Sequence, residues 1–195
     1  MMIRTTSMQC IQSFIQAIPV EYLMKGHSEY EKYHYLVQLS ITCCKYILKN
    51  TNNDNIRRPV ITLLRLIAIQ FKSLQLSIYN YDLLPLINEE NEDEDILLCL
   101  INIQTRTRIQ GLRALVQLVK QIREGEKPRL SVNSIRNVLL PLLFAYIREY
   151  DKTSDSLIRE ECAVTMGFLS ELLNWGHYMT LFRKVYNSVC FLDSK

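Results

Sequence analysis

Two trios of basic residues recur at a spacing of seven: Arg58, Arg65 and Lys72, then Arg106, Arg113 and Lys120, with Arg108 beside the second trio. Seven residues are nearly two turns of α-helix, so each trio lines up along one helix face, opposite the apolar stripe of its own segment. Such a row can neutralise phosphates, which are bound by charge and not by sequence. The plainer reading of the same row is a solvated helix face. If helices simply alternate, the two rows fall in different layers and do not merge into one groove. An extra helix between them would change that.

Other residue types capable of chemistry are scattered. Asp93, Glu94 and Asp95 end the acidic run NEENEDED, from Asn88 to Asp95, which reads as a solvated loop with no means of splitting carboxyl pKa values. The six cysteines (Cys10, Cys43, Cys44, Cys99, Cys162 and Cys190) form no C-x-x-C pair. Five of them fall in apolar helical patterns and read as small buried hydrophobes in a reducing compartment. His27, His34 and His177 have no metal-ligand spacing, and His34, among tyrosines, reads as a satisfied or exposed histidine. There is no Gly-rich phosphate loop, no G-x-S-x-G and no H-E-x-x-H. No catalytic residue, metal or cofactor is assigned, and the chain is not expected to be an enzyme.

The elements that must hold these residues are helices. A first helix from Thr6 to Ile18 puts Met8, Ile11, Phe14, Ile15 and Ile18 on one face, and Pro19 ends it. A second, from Ser28 to Lys49, opens on a capping box of Ser28 and Glu31 and carries Tyr33, Leu36, Val37, Cys44, Ile47 and Leu48. A third, from Ile56 to Ile78, takes Pro59 in its first turn. Residues 96–104 are continuously apolar at first, and periodicity leaves a short buried helix and an extended segment equally open. From Thr105 to Glu124 the pattern returns through Ile109, Leu112, Leu115, Val116, Val119 and Ile122, with Gly125 as its C-cap. Ser131 caps a helix to Tyr150 that Pro141 should kink. Helices from Ser156 to Leu173 and from Trp175 onward complete seven, and Trp175 is expected to anchor packing between neighbours.

The pattern of paired amphipathic helices and polar breaks predicts an all-α, HEAT-like α-solenoid of antiparallel helix pairs, right-handed and without a sheet. It divides into helical repeats over 1–80, an irregular acidic connection over 81–104, and helical repeats over 105–195. A length of 195 residues suits about four helix pairs. A net charge of +3 neither demands nor excludes nucleic acid. The N-terminal MMIRTTSMQCIQSFIQAIPV is a poor secretory signal and too short to span a membrane, and the chain reads as the middle of a longer protein. An apolar stripe on the last helix (Phe182, Val185, Tyr186 and Val189) is expected to face solvent.

The stretch DILLCLINIQTRTRIQGLRALVQL, Asp95 to Leu118, resembles the large HEAT-repeat subunit of the small-subunit processome, the U3 small nucleolar RNA-associated protein 20 or down-regulated-in-metastasis family. In that family an acidic stretch precedes F-F-E-N-I-x-H-I-Q-x-H-R-R-x-R-A-L-R-x-L. Here Ile103 and Gln104 match the I-Q, Arg106 and Arg108 stand for the basic cluster, and Leu112, Arg113 and Leu115 for the helix that follows. Ser131 to Leu143 and Leu173 to Phe182, with Trp175 and Tyr178, are similar to two further family elements. The likeness covers residues 83–192. It departs where Ile96 and Leu97 replace an aromatic pair, Leu98 and Cys99 the Glu-Asn, Asn102 a histidine, and Thr105 and Thr107 thin the basic cluster.

The resemblance implies a non-catalytic nucleolar or nuclear scaffold in small-subunit ribosome biogenesis, with pre-ribosomal RNA and ribosome assembly proteins as partners and no membrane or small-molecule substrate. It points to Arg106, Arg108, Arg113 and Lys120 as the nucleic-acid-binding residues. The nearby acidic run, Glu89 to Asp95, then either masks this ridge or docks a basic partner. The alternative reading is an importin-like or other protein-binding HEAT scaffold.

Overall fold

The computed structural model describes residues 2–51, 53–74, 81–149 and 156–192. The described residues are all-helical, with no strand. The elements are α1 (Met2–Gln16), α2 (Tyr30–Asn50), α3 (Asp54–Gln70), α4 (Ile96–Leu100), α5 (Thr105–Glu124), α6 (Val132–Ser134), α7 (Leu140–Glu149), α8 (Ser156–Ser170) and α9 (Trp175–Leu192). A π-helical turn, Ile135–Leu139, joins α6 to α7. Short 3₁₀ turns occur at Val20–Leu23, Lys72–Leu74, Tyr81–Leu86 and Glu92–Glu94. Residues 75–78 of the expected third helix, Tyr150 and the polar break at 151–155 lie outside the described residues.

The seven expected helices are present, joined by α4, so the stretch left open between helix and extended chain is a short buried helix. Local chemistry departs from expectation in three places. Helix α2 begins at Tyr30 without a side-chain cap, so Ser28 and Glu31 form no capping box; His27 Nδ1 accepts the Glu29 N–H instead. Helix α3 begins at Asp54, because the Asn53 side chain caps it by accepting from Asn55 N, and this puts Pro59 in the second turn. There its carbonyl accepts from Gln12 Nε2 of α1. Pro141 cannot donate to the carbonyl four residues back, and the turn just before it is wound as π rather than α. Gly125 at φ +81° and Ser131, whose hydroxyl accepts from Ser134 N, cap as the sequence predicts.

Packing runs between alternate helices as well as neighbours. Helix α1 lies on α3, α3 meets α4, α4 is covered by α5, and α5 lies on α8. On the other side α2 packs on α3 and reaches α7 and the π turn, while α7 pairs with α8. One core threads these contacts, with Ile15, Val37, Leu64, Ile67, Leu112, Val119, Leu143 and Leu169 fully buried. Burying each such aliphatic side chain contributes about 1.5–3 kcal/mol against leaving it in water.

Polar groups join the helices at their ends, where carbonyls lack partners. Gln70 Nε2, at the end of α3, donates to Ile15 O at 2.8 Å and Ile18 O at 3.0 Å, closing the end of α1. The buried Tyr146 hydroxyl of α7 donates to Leu100 O at the end of α4. The closest approach is that of α4 to α5 at Gly111. A Cβ there would stand 2.8 Å from Cys99 Cβ and 3.1 Å from Leu100 N. Backbone lies on one side and a rigid Cβ on the other, so neither can swing away. Gly111→Ala should therefore destabilise the protein by about 1–3 kcal/mol despite alanine's better helix propensity. Urea unfolding followed by circular dichroism measures this; unchanged or increased stability would show that α4 and α5 can separate freely.

Candidate nucleic-acid interface

Placed on the folded chain, the two basic rows have different surroundings. Arg65 of the first row donates through Nε to Asp95 Oδ2 at 2.7 Å, and Lys72 lies 2.8 and 2.9 Å from the two Glu89 oxygens. The acidic stretch therefore docks onto the first row. Asp95 is not part of a solvated loop: it is fully buried, and its other oxygen accepts from Leu98 N at 3.0 Å as the N-cap of α4. Asn88, Asn91 and Asp95 cap turns along the stretch, while Glu89 to Glu94 remain exposed. The exposed Lys72–Glu89 pair contributes little to stability, whereas a buried carboxylate such as Asp95 must have its partners.

The second row lies on α5. Arg106 is exposed and has no ion-pair partner among the described residues. Arg113 donates through Nε, at 2.8 Å, and Nη2, at 2.5 Å, to Glu161 Oε1 of α8. The Lys120 ammonium lies 5.4 Å from the centroid of the Phe168 ring, also on α8. This row is therefore a seam along the α5–α8 contact, with its heads at the surface.

Arg108 does not join it. The sequence places Arg108 beside an exposed ridge, but its side chain is only 2% exposed. Its Nη2 donates to Asp54 Oδ2 at 2.5 Å and its Nε to Asn102 O at 2.5 Å. Arg57 Nη2 donates to the other Asp54 oxygen at 2.8 Å. The Tyr146 ring lies beneath both guanidiniums, 4.8 Å from Arg108 and 5.5 Å from Arg57. The cause is rotation about the helix: two residues turn the chain by about 200°, so Arg108 faces inward when Arg106 faces out. A signal for this was present. Arg108 lies four residues before Leu112 and seven before Leu115, in register with the apolar stripe. Arg57 likewise shares the register of Ile61 and Leu64.

The remaining titratable groups are structural. Burial pushes the Cys44 and Cys162 thiols up to about 12, with their charged neighbours secondary, and raises Cys99 and the Tyr146 phenol as well. Cys10 and Cys43 are exposed, against the expectation that they pack inside, and Cys190 lies outside the described side chains. His34 stacks on Tyr30 and meets Gln38, and burial, followed by the charge of Lys25, lowers its pKa. No group of three or more His, Cys, Asp or Glu is placed to hold a metal among the described residues. No helix among them is long and apolar enough to cross a membrane.

Trp175 is not a packing anchor. It is 74% exposed and starts a ladder of rings along α9 that continues through Tyr178, Phe182 and Tyr186. Phe182 and Tyr186 of the expected exposed stripe do face solvent. Val185 is partly buried against the core, and Val189 lies outside the described side chains.

The two neighbouring arginines should separate cleanly. Arg108→Gln should cost about 1–3 kcal/mol, because Asn102 O and one Asp54 oxygen lose their donor while Asp54 keeps Arg57, whereas Arg106→Gln should change stability by about 0.5 kcal/mol or less. Equal effects in urea unfolding would mean that the buried pair is not formed. The thiols give a second check. In the native protein at neutral pH, Cys10 and Cys43 should react with a thiol reagent ahead of Cys44, Cys99 and Cys162. Unfolded thiols lose their protons near their ordinary value of 9.0, but Cys44 and Cys162 do so only near about 12. Their burial thus supports the fold fully below pH 9 and loses that support as pH rises from 9 toward 12. Stability that rises over that range would contradict the burial.

Comparison with known proteins gives no match to any family model and none to a curated protein.

Proposed function

We propose that this chain is a non-catalytic helical-repeat scaffold in small-subunit ribosome biogenesis, working in the nucleolus and contacting pre-ribosomal RNA and assembly proteins. The observation that carries the scaffold reading is the packing of alternate helices. One row runs α1, α3, α4, α5, α8, with α2 and α7 in contact on the other side. Two rows joined by α2–α3 and α7–α8 are what stacked antiparallel pairs of an α-solenoid produce. The placement in ribosome assembly rests on the resemblance of Asp95 to Leu118 and of the two later elements to the processome subunit.

The non-catalytic reading is supported by the use made of the reactive groups. The buried thiols are held protonated, and Asp54 and Asp95 are engaged in ion pairs and caps. Phosphate contact along α5 falls to Arg106, Arg113 and Lys120, and Arg108 holds the helix that carries them.

The test is the location and company of the protein in the cell. A tagged full-length protein should concentrate in the nucleolus and sediment with pre-ribosomal particles. Cycling between cytoplasm and nucleus without such sedimentation would favour the importin-like reading and overturn this one.

A further inference from the structure

Helix α9 has an inner and an outer face. Leu181 is buried and Val185 packs against the core, which defines the inner face. The Asn174 side chain caps it by accepting from His177 N at 3.0 Å. The outer face carries Trp175, Tyr178, Phe182 and Tyr186 at 74, 36, 51 and 59% exposure. These four do not scatter. Successive centroids lie 5.8, 6.5 and 6.4 Å apart, and successive ring planes differ by only 21–23°. The result is one row of near-parallel rings along one helix face. A second run of ring contacts, Phe14, Tyr33, Tyr22 and His27, crosses between elements, and of these only Phe14 is exposed.

Charge selects the partner. From Trp175 to Leu192 the helix contains His177, Arg183 and Lys184 and no Asp or Glu. Arg183, next in sequence to Phe182, is exposed. Aromatic faces serve protein interfaces as well, where Trp and Tyr are enriched, so it is the basic charge together with the regular row that favours a partner with flat faces and negative charge. Here three of the four rings are Trp or Tyr, which bear a polar atom and tolerate water. The rings are already in offset contact with one another, so bases would stack on the faces the row leaves exposed. Flat π-faces in a row on a positively charged helix are the two elements by which proteins bind single-stranded nucleic acid without reading its sequence.

We propose that the outer face of α9 is a stacking platform for single-stranded RNA, with the four rings holding bases and Arg183 neutralising the adjacent phosphates. The choice of RNA over DNA rests on the proposed role in ribosome assembly; the platform itself rests on α9. Phosphate contact on α5 would add charge alone, whereas α9 adds the bases.

Trp175 is the only tryptophan of the chain, so the platform carries its own reporter. Titrating the full chain with oligoadenylate at low salt should quench tryptophan fluorescence, with an affinity that falls as salt rises. Tyr178→Ala, Phe182→Ala and Tyr186→Ala should each weaken binding about tenfold, and Arg183→Gln should lower the salt slope by about one. These side chains are exposed, and unchanged circular dichroism confirms that each variant folds. Absence of quenching at low salt overturns the proposal. So does binding that the ring substitutions leave unchanged, because charge alone then suffices. Concentration-dependent dimers that the ring substitutions dissolve, with no response to oligoadenylate, would assign the face to a second copy instead. Sedimentation with pre-ribosomal particles combined with no oligoadenylate binding removes the α9 platform and leaves the scaffold reading standing.

Discussion

The structure depends on one carboxylate receiving two guanidiniums. Asp54, in the first turn of α3, accepts Arg57 from its own helix and Arg108 from α5. Arg108 also ties down Asn102 O in the connection from α4, while Tyr146 lies beneath both arginines and closes the end of α4. Four helices thus meet at one charged knot. The two guanidiniums are buried, and buried charges are tolerated only with partners, so the knot constrains how those helices can be arranged. Sliding α5 along α3 would leave an arginine in the core without its carboxylate. An apolar core would resist that slide less, since one aliphatic contact substitutes readily for another.

The same constraint decides what the surface can offer. By turning Arg108 inward the knot turns Arg106 outward, and the α5–α8 contact then leaves the heads of Arg113 and Lys120 at the edge of that seam. The acidic stretch is absorbed in a similar way. Asp95 caps α4 from inside and holds Arg65, and Glu89 meets Lys72. Arg65 and Lys72 of the first basic row are therefore committed to folding the connection between α3 and α4. The two rows are alike as sequence patterns, but Arg106 of the second is exposed without an ion-pair partner among the described residues, whereas Arg58 of the first is partly buried and Arg65 and Lys72 are paired.

This also explains how much could be read before the fold was known. The helices were legible because their apolar period is long and strong, and Gly125 and Ser131 were legible because a cap acts within one turn. Residues whose state depends on another element were not. Cys10 and Cys43 sit in apolar patterns, yet no neighbouring helix covers them. Asp95 sits in an acidic run, but its position just before α4 and opposite Arg65 takes it inside. Ser28 and Glu31 have the spacing of a capping box, but the His27 ring takes the backbone donor just before α2. In each case local spacing defines an option and a residue distant in sequence, or an adjacent ring, decides it. Arg108 is the instructive exception: its inward register was visible in the sequence, and the spacing of the basic trio drew attention to the wrong face.

Trp175 extends the point to the aromatic face of α9. As a lone tryptophan between two apolar segments it has the profile of a core residue, and its 74% exposure reverses that. The reversal is consistent along the helix, because the residues that fix α9 to the core are Leu181 and Val185, which lie on a different side of the turn from the ring row. Keeping four rings in water forgoes the large gain from burying them. Part of that loss is offset by the rings stacking on one another, at about 0.5–1.5 kcal/mol for each contact. The chain thus places charge inside, where it specifies packing, and aromatic surface outside, where it is open to a partner that presents flat faces and negative charge.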